Sequence, residues 1–172
     1  MASSDKKTDV NFLCNDAIEL CLSIEKEGVV YYEKAAKLTK NPKVRAIFNL
    51  LAREEKDHTK TLSAKAKFLR PAVQNKSTAN EDLEDYLSQE VKGKIFPVSS
   101  GKVKEIQVPD TDFEAIELGI ESEKRSIDIL MKLLKQEKKM DVRVVFSHLL
   151  AEEKKHLINL EELKEELLRE GA

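Results

Sequence analysis

Steps of four and three residues trace four long, mostly apolar stripes along the chain. The first visits Cys14, Ile18, Cys21, Glu25, Gly28, Tyr32 and Ala35; the second Val44, Phe48, Leu51, Glu55, His58 and Leu62. The third visits Ile116, Gly119, Glu123, Ser126, Leu130 and Leu133; the fourth Val142, Phe146, Leu149, Glu153, His156, Leu160, Leu163 and Leu167. Such spacing gathers a stripe onto one face of an α-helix and predicts four core-facing helices. The first is expected from about residue 10 to Thr39, broken at Asn41-Pro42, with Pro42 suited to the first turn of the next helix. The second runs to about Leu69 and is ended by Pro71. The third starts near Asp110, with Asp110, Thr111 or Asp112 as candidate caps, and reaches about Lys138. The fourth covers about Asp141 to Arg169.

Between the second and third stripes, residues 70–109 lose the long helical pattern and carry three prolines. Within them, Asn80–Lys92 predicts a short helix, and the remainder reads as extended or irregular. A connection this long in a compact chain is expected to span the bundle or to serve a function.

The two halves are copies of one motif. Shifted by 98 positions, residues 17–62 fall on 115–160 without a gap, and 18 of the 46 aligned pairs are identical. Ala17–Leu20 and Ala115–Leu118 both read AIEL, and Glu54-Glu55-Lys56 matches Glu152-Glu153-Lys154. Two helical hairpins, 10–69 and 110–170, joined by the 70–109 crossover, predict an all-α, ferritin-like four-helix bundle, with residues 1–172 as a single domain.

Six positions break the apolar stripes with ionisable groups: Glu25, Glu55, His58, Glu123, Glu153 and His156. Charges on a core face are costly unless something neutralises them. Glu55 with His58, and Glu153 with His156, are Glu-x-x-His pairs whose side chains can reach one point. Glu25 and Glu123 each lie 30 residues before the glutamate of one pair. One Glu from each of two helices and Glu-x-x-His from each of the other two is a dinuclear carboxylate arrangement. Four carboxylates and two divalent ions sum to near neutrality, which removes most of the burial cost. The reading makes Glu55 and Glu153 bridging ligands, Glu25 and Glu123 terminal, and His58 and His156 one ligand for each ion. Oxygen and imidazole donors suit iron or manganese and admit zinc.

Tyr32, seven residues after Glu25, is the candidate catalytic side chain beside the metals, able to donate to a ligating carboxylate. Its counterpart is Leu130, so the two metal positions are not expected to be equivalent. Gly28 and Ser126 are matched small residues, leaving room either for an exogenous ligand or for close helix packing. Glu54, Glu152, Glu19 and Glu117 fall off the stripes and read as solvated or ion-paired, and His148, opposite Leu50 in the alignment, reads as structural or exposed.

Charge and composition narrow the partners. The net charge of −2 gives no basis for nucleic-acid binding, and no apolar run approaches the roughly 18–20 residues of a membrane span. The N-terminal residues carry no targeting signal, so a cytoplasmic location is expected. Cys14 and Cys21 are about 10 Å apart along one helix, too far for a disulfide, and read as buried small side chains. No Cys-x-x-Cys pair is present.

The segments IEKEGVVYYEKAA (24–36), EEKDH (54–58), ESEKRSI (121–127) and EEKKH (152–156) resemble the rubrerythrin-type branch of the ferritin-like proteins. The resemblance covers both hairpins. It implies a non-haem centre of two iron ions that reacts with hydrogen peroxide or oxygen, in a homodimer. The family's rubredoxin-like domain has no counterpart here, which implies an external electron donor such as a rubredoxin. The family's additional glutamate on the third helix aligns with Ser126, leaving six ligands, closer to a simple ferritin-like oxidase. The alternatives are an iron-binding or storage protein and an interaction bundle that a metal merely stabilises.

Overall fold

The computed structural model describes residues 12–73, 81–98 and 105–170. Four long helices dominate: α1 Cys14–Leu38, α2 Pro42–Val73, α4 Asp112–Gln136 and α5 Met140–Glu170. The short α3, Glu81–Tyr86, widens into a π-helical turn over Leu87–Val91. The described residues contain no strand, only an isolated bridge between Val98 and Ile106. The chain is thus the all-α helical bundle that its periodicity predicts. Among the described residues, no helix is long and apolar enough to cross a membrane.

Both hairpins close through the same device. Arg45 donates to the carbonyl of Thr39 at 2.8 Å, and Arg143 donates to that of Glu137 at 2.8 Å. Each pair is the other's counterpart in the duplication, and each satisfies a carbonyl at a helix C-terminus. Thr111 caps α4 by accepting from the Glu114 amide, and Asp112 accepts from the amides of Lys40 and Asn41. Asp112 thereby fastens the start of the second hairpin to the turn of the first.

The boundary at Pro71 differs from expectation. α2 continues through it to Val73. A proline this near a helix end forfeits one backbone bond, to the carbonyl of residue 67, and little helix follows that could be disrupted. Val10 and Asn80, expected helix starts, lie outside the described residues.

The four stripes form the core. Ile18, Phe48, Leu51, Ile116, Leu130, Phe146 and Leu160 are essentially solvent-free. The crossover adds Leu87, Val91, Ile95 and Phe96 to the same core. Phe96 stacks on Tyr31 with ring centres 4.6 Å apart, and the Tyr31 hydroxyl donates to the Ala115 carbonyl at 2.5 Å. Cys21 is buried and Cys14 partly so, both as free thiols.

Candidate metal centre

Glu25 on α1, Glu55 and His58 on α2, Glu123 on α4, and Glu153 and His156 on α5 converge inside the bundle. All but His58 are buried to within a few per cent of complete. Their donor atoms fall into two groups, each with all atoms within 4.8 Å of one another: Glu55, Glu123, Glu153 and His156, and Glu25, Glu55 and His58. Glu55 belongs to both groups, whereas Glu153 falls only in the first. The structure therefore brings all six sequence-predicted residues together, with Glu55 joining the two halves.

The imidazoles are oriented alike. His58 Nδ1 lies 3.4 Å from Glu25 Oε1, and His156 Nδ1 lies 3.4 Å from Glu55 Oε1. The rings stack across the bundle with centres 5.8 Å apart. Their other nitrogens face outward to the opposite hairpin: His58 Nε2 is 3.6 Å from Glu152, and His156 Nε2 is 3.6 Å from Glu54. Glu54 and Glu152 thus sit behind the histidines as a reciprocal pair of carboxylates. From the sequence alone they read only as solvated or ion-paired. The signal was their exact match in the duplication, since each precedes a candidate ligand by one residue.

Tyr32 is fully buried and donates from its hydroxyl to Glu123 Oε1, on α4 rather than on its own hairpin. Burial, followed by the charge of Glu123, holds its phenol well above the usual range, so the proton stays on the tyrosine oxygen. Leu130, its counterpart, is an apolar core residue. Gly28 serves Glu55. A Cβ at Gly28 would stand 2.5 Å from Glu55 Oε1 and 2.9 Å from its carboxyl carbon. The space left by the missing side chain is therefore taken by a candidate ligand.

Burial dominates the electrostatics. It pushes the Glu25 carboxyl up to about 7, with Glu123 and Glu152 adding repulsion. Glu55 is raised well above the carboxylate range by burial and then by the charge of Glu25; Glu153 is raised by burial and then by Glu123. Burial pushes His156 the opposite way, but proximity to Glu55 and Glu123 outweighs it and leaves the imidazole above its ordinary value.

A metal pair fits these residues. Both oxygens of Glu25, Glu55 Oε2, Glu153 Oε1, His58 Nδ1 and both nitrogens of His156 are buried without a hydrogen-bond partner. Each unpaired polar atom costs about 1–3 kcal/mol in an interior. Carboxylate and imidazole donors aimed at common points are the environment of a hard or borderline cation. Glu27 is also fully buried, but its oxygens accept from the amides of Gly93 and Phe96 at 2.7 and 3.2 Å. It is a structural carboxylate.

Compared with known protein families, residues 16–164 match the rubrerythrin family. Neither a curated protein nor a solved structure matches the chain. The family match runs through all four long helices and includes every one of the six converging side chains. The chain therefore belongs to the rubrerythrin family.

Proposed function

We propose that this protein is a non-haem di-iron oxidoreductase whose oxidant is hydrogen peroxide or dioxygen. The observation that carries the reading is the pair of donor groups joined at Glu55, with buried ligand atoms left unpartnered by the protein itself. Glu25, Glu55 and His58 would hold one ion, and Glu55, Glu123, Glu153 and His156 the other. Glu153, expected from the sequence to bridge, would serve the second ion, and Glu55 alone is common to both groups. Iron is the metal proposed, because rubrerythrins typically bind it, and the same donors also take manganese or zinc. Two bound ferrous ions supply two electrons, enough with two protons to reduce peroxide to water or dioxygen to peroxide.

The protein's own groups prepare that chemistry. Glu152 and Glu54 face the outer nitrogens of His58 and His156 and favour the tautomer with its free lone pair on Nδ1, directed inward. Tyr32 keeps its proton on the phenol oxygen and orients Glu123 through the hydrogen bond between them, which makes it a positioning residue of one ion only. The burial of Glu25, Glu55, Glu123 and Glu153 excludes bulk water from around the carboxylates. Ser126, buried one turn from Glu123, leaves six candidate ligands. The donor proposed for re-reduction is a separate protein such as a rubredoxin. We propose a homodimer as the working assembly and the cytoplasm as its location, following the family resemblance and the sequence respectively.

The test is to load the metal-free protein with Fe(II) without oxygen, then add peroxide and dioxygen separately while following near-ultraviolet absorbance. The proposal predicts that at least one oxidant generates a ferric carboxylate band within seconds, and that a reductant bleaches it. A protein that binds iron but responds to neither oxidant contradicts the redox reading and leaves iron binding alone.

A further inference from the structure

The two ends of the site differ in their access to solvent. The His58 side chain is 21% exposed, whereas that of His156 is 2% exposed. A cavity of about 50 Å³ reaches the His58 end. Glu25 and His58 line it together with Thr61, His148 and Glu152, and Leu62 and Leu149 supply its apolar surface. Both oxygens of Glu25 are fully buried without a hydrogen-bond partner, so the cavity leads to carboxyl oxygens that the protein leaves unsatisfied.

The remaining polar lining distinguishes the two halves. His148 and Glu152 are four residues apart on α5, hence neighbours on one helix face. Their counterparts on α2 are Leu50 and Glu54. A leucine in one half is thus an exposed imidazole in the other, and that imidazole stands at the end where His58 is partly open to solvent. The imidazole of His148 and the carboxylate of Glu152 are donors that a divalent cation accepts in exchange for water.

We propose that His148 and Glu152 form a capture site for a divalent cation, which sheds water there and then passes to Glu25 and His58. The inference rests on the dinuclear reading of the inner site. It makes the Glu25–Glu55–His58 position the first to fill, and it gives His148, which no part of the redox chemistry uses, a role in loading.

The test is stopped-flow mixing of metal-free protein with Co(II) under argon, read by visible cobalt absorbance, with the final stoichiometry from a static titration. Wild type takes two equivalents. His148→Leu, which installs the residue of the other half, and His148→Lys, which places a cation at the mouth, each slow the bimolecular uptake by about tenfold. Both variants still reach two equivalents. Leu50→Lys makes the matching charge change on α2 and keeps the wild-type rate. Unchanged uptake in both His148 variants overturns the capture site, as does an equal slowing in Leu50→Lys, which reduces the effect to net charge. If wild type itself fails to take two equivalents, the dinuclear reading fails and the capture site with it.

Discussion

Gly28 lies directly against a candidate ligand. A methyl group there would meet the Glu55 carboxylate at 2.5 Å, and Glu55 is the residue common to both donor groups. Gly28→Ala is therefore expected to weaken binding of both ions together, by about 10- to 100-fold, the range seen when the support of a ligand is lost. Competition with a chelator of known affinity measures it; wild-type affinity in the variant would show that Glu55 is free to move aside. At this scale the six candidate ligands were legible because ionisable groups interrupt apolar stripes twice, 98 residues apart. Glu54 and Glu152 were not legible as partners of the imidazoles, because each reaches the histidine of the opposite hairpin. Periodicity along one helix carries no information about which neighbouring helix a side chain will face. Tyr32 shows the same limit: its face was legible, but its acceptor, Glu123, belongs to the other hairpin.

The long helices follow from the stripes and from local punctuation such as Pro42 and Thr111. The crossover is fixed differently, by residues lying outside it. Glu27 accepts the amides of Gly93 and Phe96, and Arg125 donates to the carbonyl of Ile95. Glu27 and Arg125 are counterparts in the duplication, so one ancestral position has become a carboxylate in one half and a guanidinium in the other. Together they satisfy donors and acceptors of the same turn. Gly93 makes that turn feasible, with φ at +69° and a would-be Cβ only 2.7 Å from Val98. The clamp is invisible to periodicity, since it pairs irregular backbone with residues distant in sequence. Glu27→Ala leaves two amides unpaired and is expected to cost about 2–4 kcal/mol. Chemical denaturation measures the loss, and hydrogen exchange locates it: the amides of Gly93 and Phe96 should speed up before those of α1 and α2. Unaltered stability and unaltered exchange would show that the apolar contacts of Ile95 and Phe96 hold the crossover alone.

For the molecule as a whole, folding without metal concentrates carboxylates in a dry interior, and pH controls the penalty. Glu25 releases its proton near pH 7 when folded and near its ordinary 4.5 when unfolded. Between those values the folded state holds the extra proton, so stability rises as pH falls. Glu55 and Glu153 are displaced in the same direction. His156, raised when folded, also stabilises towards lower pH and loses that contribution as pH rises. Metal-free protein is therefore expected to be more stable at about pH 5.5 than at about pH 7.5, by about 2 kcal/mol from Glu25 alone. Metal-loaded protein should show the opposite slope, because its ligands bind deprotonated. Urea denaturation of both forms at the two pH values checks the sign; a metal-free protein that is more stable at the higher pH would mean that the cluster is not carried as unpaired carboxylates. The most direct test of the account is equilibrium dialysis of the metal-free protein against Fe(II) under argon, followed by metal analysis. One dinuclear site built from two duplicated halves predicts saturation at two irons per chain, and saturation at one iron or fewer would contradict it.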